Sequence, residues 1–371
     1  MTVYLDHNAT SPARPGVAEA MTAALGIGGN PSSVHGFGRR ARRAVEDARD
    51  EVARLINAKP ETIVFTGSGT EANALALKGV NCERIIVSAI EHDSVLHNAD
   101  AELLPVNGDG VADLAALEAM LAADKRRTLV SVMHANNETG VIQPAAEAAG
   151  IAHRFGALFH CDAVQSAGKI AVDVMALDCD LLSISAHKLG GPQGVGALYV
   201  APSVSLDAMI KGGGQERGRR AGTENVSGIA GFGFAAKLAR ENPADDTKMA
   251  RLRDGLEQRI KRMAPEAIVF GAAAPRLANT SLIAMPGVSS EIQVMAFDLA
   301  GIAISAGAAC SSGKVEPSHV LLAMGADEKL AHSAVRVSLG WTNSEEDLDR
   351  FIETWSGLYA MRRVPAEAPA A

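Results

Sequence analysis

The stretch Leu181-Leu182-Ser183-Ile184-Ser185-Ala186-His187-Lys188-Leu189-Gly190-Gly191-Pro192, followed by Val195-Gly196-Ala197-Leu198-Tyr199-Val200, decides how the chain is read. Two short apolar runs flank a Gly-rich turn, and the turn carries one lysine. Runs of this length that lack polar alternation read as strands covered on both faces, the signature of a largely parallel α/β sheet. A lysine on a tight turn after a buried strand is well placed to form a Schiff base with a carbonyl compound. A loop lysine by itself is more often solvated, so Lys188 takes its meaning from what surrounds it.

Working outward, the same pattern recurs from about Gly16 to Val200. Apolar runs at Thr62-Ile63-Val64-Phe65, Arg84-Ile85-Ile86-Val87, Leu129-Val130-Ser131-Val132 and Leu158-Phe159-His160-Cys161 are spaced by helical stretches. Arg39 to Ile56 reads as an amphipathic helix with Ala44, Val45, Ala48, Val52 and Leu55 on one face, and its basic side reads as a solvated face. A polar break at residues 241–246 precedes a helix and then strand-like segments at Ala267-Ile268-Val269-Phe270 and Ser281-Leu282-Ile283-Ala284. The expectation is a large α/β domain over residues 15–245. A smaller α+β domain is expected from residues 1–14 with 246–371, with disorder after residue 364.

Composition narrows the function. With 371 residues, 47% of them hydrophobic, the chain can bury one large core and a second smaller one. A net charge of -8 leaves no basic surplus for nucleic acid. No apolar run is long enough for a membrane span, and Val3-Tyr4-Leu5-Asp6 does not read as a signal region, so the expectation is a soluble cytoplasmic protein with no membrane partner. Cys82, Cys161, Cys179 and Cys310 form no C-x-x-C pair, which suits a reducing compartment and argues against zinc. The first three read as small buried hydrophobes. Cys310 lies among small residues, Ala306-Gly307-Ala308-Ala309-Cys310-Ser311-Ser312-Gly313, and reads as a thiol able to move and react. His7, His134, His153 and His160 read as structural, and no metal site is expected.

Two further features point toward a phosphorylated cofactor. Thr66-Gly67-Ser68-Gly69-Thr70-Glu71 joins a strand to the helix starting Ala72-Asn73, where backbone N–H groups can hold a phosphate; alone the pattern is more often simple capping. Asp162 ends an apolar strand, where a carboxylate is costly unless something positive meets it, and a protonated pyridine nitrogen would do so. An Asp capping the next helix is the plain alternative. An amino-acid substrate bound through its nitrogen also needs a guanidinium for its carboxylate, and Arg336 in the alternating segment Ala334-Val335-Arg336-Val337-Ser338-Leu339 is the candidate.

The chain resembles the cysteine desulfurases of the NifS/IscS type within the class V aminotransferase group. The matching stretches run in order along nearly the whole chain: LDHNATSP (Leu5 to Pro12), GNPSSVH (Gly29 to His35), FTGSGTEAN (Phe65 to Asn73) and Glu91-His92. They continue with ANNETG (Ala135 to Gly140), FHCDAVQSAGK (Phe159 to Lys169), SISAHKLGGPQG (Ser183 to Gly194), GGGQERGRRAGTEN (Gly212 to Asn225) and ISAGAACSS (Ile304 to Ser312). The resemblance implies the fold type I of pyridoxal-phosphate (PLP) transferases, with a mostly parallel seven-stranded sheet. It implies that Lys188 carries PLP, Asp162 meets the ring nitrogen, Gln165 donates to the phenolic oxygen and His92 stacks on the ring. Gly69, Thr70, Ser185 and His187 resemble the phosphate cradle, and Thr223 resembles a phosphate contact offered to a second subunit of a homodimer.

The resemblance further implies that Arg336 and Asn137 bind the substrate carboxylate, with His35 and Asn8 lining the pocket. Lys188 is then the base for the α-proton and His92 a proton donor or acceptor. Cys310 takes the sulfur of L-cysteine as a persulfide, releases alanine, and passes the sulfur to an acceptor or Fe–S scaffold protein, on which Cys310 could also ligate a transient cluster. A class V aminotransferase and a selenocysteine lyase are the neighbouring alternatives, and a non-catalytic partner with the same fold is the distant one. The sequence departs from the family at Gly67-Ser68-Gly69, usually Ser-Gly-Ala, and at Trp341-Thr342, usually Arg-Phe. It also ends soon after Arg363, so the resemblance leaves a nitrogenase-type or a general acceptor open.

Overall fold

A computed structural model describes residues 2–241, 246–307, 310–311, 314–315 and 317–362; the side chains of residues 310, 311, 314, 315 and 362 are not part of that description. The strands, in chain order, are β1 (Val3–Tyr4), β2 (Ile63–Thr66), β3 (Arg84–Ser88), β4 (Glu102–Leu104), β5 (Thr128–Ser131), β6 (Leu158–Asp162), β7 (Leu181–Ser185) and β8 (Gly196–Val200). They continue as β9 (Ile268–Val269), β10 (Thr280–Ala284), β11 (Ile302–Ala303), β12 (Ser305–Ala306), β13 (Cys310–Ser311), β14 (Lys314–Val315) and β15 (Ala334–Ser338). The helices are α1 (Val17–Leu25), α2 (Gly36–Leu55), α3 (Gly69–Gly79), α4 (Asp93–Leu96), α5 (Leu114–Ala123) and α6 (Ala145–Arg154). After them come α7 (Val226–Glu241), α8 (Asp246–Met263), α9 (Ser290–Leu299), α10 (His319–Ala323), α11 (Glu328–Ala331) and α12 (Glu345–Arg362).

The main sheet has seven strands in the order β2-β8-β7-β6-β5-β3-β4. Every run read from the sequence as a large-domain strand is in it, because strands buried on both faces show as unbroken apolar stretches. β8 alone runs against its neighbours, pairing antiparallel with both β2 and β7. The edge strand β4 was not foreseen: two of its three residues are exposed, so it carries no apolar run. Helices α2, α3, α6 and α7 cover the faces, and one continuous apolar core runs from Val45 and Val52 through Phe159 to Phe232.

A second sheet, β12-β15-β10-β9, is antiparallel throughout, and α8, α9 and α12 pack on it around Phe297, Phe351 and Trp355. Chain-start residues complete this unit: β1 pairs with β11, and Asp6 bridges to Ser338. Helix α2 differs from expectation in one respect, since Arg49 on its basic side is 4% exposed rather than solvated. It pairs through Nη1 (2.7 Å) and Nη2 (2.9 Å) with both carboxylate oxygens of Glu216. Among the described residues no helix is long and apolar enough to cross a membrane, and no cluster of three or more His, Cys, Asp or Glu is placed to hold a metal ion.

Candidate active site

In a sheet of mostly parallel strands, ligands collect beyond the carboxyl ends of those strands. Here β2 leads to the turn before α3, β3 to His92, β5 to Asn137, β6 to Asp162 and Gln165, and β7 to His187 and Lys188. Two adjoining cavities occupy this end. The smaller, about 230 Å³, is lined by Gly69, Thr70, Asn73, His92, Asp162, Gln165, Ser185, His187 and Lys188. The larger, about 690 Å³, reaches Asn8, Asn137, Glu138, Arg336 and residues 302–307. His92, Asn137, Gln165 and Lys188 wall both.

The floor of the smaller cavity has an unbalanced charge. Asp162 is 4% exposed and accepts from Asn73 Nδ2 (2.7 Å) and from the backbone N–H of Val164 (2.9 Å), yet no cation pairs with it among the described residues. Oδ1 caps the turn that follows β6 rather than a helix, and Asp162 also lines the cavity. A buried carboxylate in this state fits a ring N–H⁺ arriving with a ligand. The opposite end fits a phosphate. α3 starts at Gly69 with Ser68 as its cap, accepting from Glu71 N–H (3.1 Å), and a Cβ on Gly69 would stand 2.9 Å from Val164 Cγ2. These residues fit PLP by charge at one end and by free N–H groups at the other.

Lys188 follows β7 in a short 3₁₀ turn. Its Nζ donates to the main-chain carbonyls of Asn8 (2.5 Å) and Ala9 (2.8 Å). Burial lowers its pKa to about 8, with Arg336 pushing the same way and Asp6 and Asp162 opposing. Such an amine exchanges its proton near neutral pH. His92 caps α4: Nδ1 accepts from Ser94 N–H (3.0 Å), so in the neutral ring the proton sits on Nε2. His187 lies 3.2 Å from Thr10 Oγ1, and burial lowers its pKa to about 4.

Arg336 lies on β15 between Leu282 and Ser305. Nη1 donates to Asn137 O (3.0 Å) and Nη2 to Asp6 Oδ1 (2.9 Å), while Nε is buried without a partner among the described residues. The pairing with Asp6 is a structural ion pair, and Arg336 also lines the larger cavity beside it. Asn8 is fully buried and lines the larger cavity, as expected. His35 does not: its ring caps α2 by accepting from Gly38 N–H (3.3 Å), and it lines neither cavity. Thr223 is exposed and lines neither cavity of its own chain. The side chain of Cys310 lies outside the described residues. Of the other cysteines, Cys161 and Cys179 are buried as expected, whereas Cys82 is only half-buried. His153, read as structural, is held between Asp178 (2.9 Å) and Asp180 (2.8 Å), 25 and 27 positions further along the chain.

Two residues were missed. Glu138, fully enclosed against the larger cavity, accepts from Ser318 Oγ (2.6 Å), and burial raises its pKa to about 7. Lys169 donates to Asn8 Oδ1 (2.7 Å) and Gln165 Oε1 (2.8 Å). Both sit inside quoted motifs, and the only signal in the sequence is a charged residue within an otherwise apolar or small-residue stretch.

The aminotransferase class-V family model matches residues 3–351. A cysteine desulfurase from Cereibacter sphaeroides is 45% identical over 95% of this chain and 94% of its own. The cysteine desulfurase IscS of Dictyoglomus turgidum is 42% identical over 94% and 92%. Among solved structures, a NifS-like protein from Rickettsia africae superposes with a TM-score of 0.91 at 37% identity, covering 97% of this chain and all of that one.

Proposed function

The chain belongs to the class-V aminotransferase family and is a PLP-dependent cysteine desulfurase, and from that premise we propose the residues that carry the reaction. PLP, when bound, supplies an electron sink for the negative charge that develops at the substrate Cα. Lys188 is its attachment point, Asp162 holds its ring nitrogen in the protonated form, and Gln165 donates to its phenolic oxygen. His92 covers the ring. Gly69, Thr70, Ser185 and His187 receive the phosphate.

Arg336, through its free Nε, and Asn137 hold the substrate carboxylate. Lys188, once released, takes the α-proton at Nζ and can shed it again near neutral pH. The Cys310 thiolate then attacks the substrate sulfur. An S–S bond forms as the Cβ–S bond breaks, and its electron pair stays with the carbon, where protonation completes alanine. Nε2–H of His92 is the proton source on that side of the site. The balance is L-cysteine plus the Cys310 thiol giving L-alanine plus the Cys310 persulfide.

One observation carries the reading: Lys188 and His92 wall both cavities, with Asp162, unpaired with any cation among the described residues, in the wall of one and Arg336 in the wall of the other. Residues 302–307, which lead directly to Cys310 in the chain, form part of the larger cavity's wall. Thr223, exposed and lining neither of its own chain's two cavities, supports a homodimer in which each subunit completes the other's phosphate cradle. The reading further includes a division into a large domain of residues 15–245 and a small domain of residues 1–14 with 246–371, a sulfur-acceptor protein and a cytoplasmic setting. The test is alanine and sulfide formation from L-cysteine with a thiol reductant, in wild type and Cys310→Ala, while bound PLP is followed by absorbance. Product from wild type only, with PLP bound in both, is the expected result. Equal activity in the variant overturns the role of Cys310 and favours transamination or selenocysteine cleavage.

A further inference from the structure

Lys169 is a buried amine that the proposed chemistry does not use. The turn after β6 delivers it: Gly168 adopts φ +79, and a Cβ there would stand 2.9 Å from Leu189 Cβ, so the chain folds back tightly beneath the Lys188 loop. Its Nζ meets two side-chain carbonyls, Asn8 Oδ1 and Gln165 Oε1, and among the described residues no carboxylate pairs with it. The charged groups that face it are Lys188 on the loop after β7 and Arg336 on β15, with His7 on the N-terminal segment. Burial first, then Lys188 and Arg336, lower its pKa well below that of an ordinary lysine.

The consequence falls on Gln165. An amide whose oxygen is engaged by a donor cannot rotate half a turn without losing that bond, so its NH2 is committed to the other side. One of those N–H groups reaches Asn8 O (2.9 Å), and Gln165 itself lines the smaller cavity. Asn8 is held in the same way, through Lys169 and Asn279 at Oδ1 and through Thr280 and Asn137 at Nδ2. Its main-chain carbonyl is also where the Lys188 amine rests.

We propose that Lys169 is a positioning residue that fixes Gln165 as a donor toward the cofactor's phenolic oxygen and fixes Asn8 as the resting place of the Lys188 amine. The proposal rests on the PLP assignment of Gln165 and Lys188 made above. It makes the second lysine part of the site without any contact to substrate.

The test is a double-mutant cycle on holoenzyme without substrate, using Lys169→Met, Gln165→Leu and the pair. The readout is the pH midpoint of the bound cofactor's visible band. Loss of a donor to the phenolic oxygen leaves the attached nitrogen more basic, so Lys169→Met is expected to raise the midpoint by about one unit. Gln165→Leu should raise it similarly, and the double variant no further than Gln165→Leu alone, because the two act through one contact. An unmoved midpoint in Lys169→Met, or additive shifts, overturns the proposal. Should Lys169→Met not yield holoenzyme, Lys169→Gln replaces it in the same cycle. Should neither do so, Gln165→Leu decides, since an unmoved midpoint there removes the group through which Lys169 acts. Failure of the PLP assignment is distinguishable, because wild type would then show no visible band.

Discussion

Two buried arginines hold this protein in opposite ways. Arg49 on α2 is complete: it grips both oxygens of Glu216, reaches Ile63 O (2.9 Å) through Nη1 and Glu46 (3.2 Å) through Nε, and lies over the Phe65 ring. Arg336 is incomplete: one bond to Asp6, one to a main-chain carbonyl, and a buried Nε without a partner among the described residues. A guanidinium gripped on both sides by a carboxylate holds the fold, whereas one that lines a cavity with a donor to spare is suited to hold a ligand. Glu216 shows the cost that the first arrangement supports, since it and Arg217 are left-handed residues, φ 47 and φ 57, without being glycine. Each such residue costs roughly 1–2 kcal/mol.

The comparison makes Arg49→Met the most damaging change. Removing the guanidinium leaves Glu216 buried as a lone charge with only Phe65 N–H for company (2.9 Å), and the loss expected in urea unfolding is about 3–5 kcal/mol. A loss below about 1 kcal/mol, the range of exposed pairs, would break the distinction between the two arginines. Arg336→Ala should do the reverse. We expect kcat/KM for L-cysteine to fall about a thousandfold, with a much smaller change in unfolding free energy than Arg49→Met gives. If Arg336→Ala instead unfolds the protein and leaves the kinetics of the surviving fraction intact, Arg336 is a structural pair with Asp6 and nothing more.

The same contrast explains what the sequence could reveal. The central strands were legible because β5, β6 and β7 are buried on both faces and their residues are apolar almost without interruption. The reversed direction of β8 was not, since Gly196 to Val200 has the same composition whichever way it runs. Lys188 and Asp162 were legible because each is a charged group at the end of such a run. Arg49 was hidden among the arginines of α2, and its partner is 167 positions away. The Arg336–Asp6 pair spans 330 positions, and Lys169 touches its two carbonyls through a turn that only the fold closes. Motifs name the residues that meet ligands, while the residues that hold those in place are set by long-range packing.

The carboxylates sharpen the comparison last. Glu216 is matched by a guanidinium, but Glu138 has only the Ser318 hydroxyl on Oε2, with Arg336 acting at a distance and Asp93 opposing it. Burial therefore raises its pKa from 4.5 to about 7. In the unfolded chain the carboxyl ionises near its ordinary value, so between about pH 4.5 and pH 7 the folded protein binds more protons than the unfolded one. Stability contributed by this group must then fall as pH rises through that window, by a total on the order of 3 kcal/mol. Glu138→Gln removes the group that titrates. Unfolding free energies measured across the window should show wild type losing stability relative to Glu138→Gln with rising pH. A constant difference between the two proteins would mean that Glu138 is as fully compensated as Glu216, and that an unfilled bond beside this cavity marks Arg336 alone.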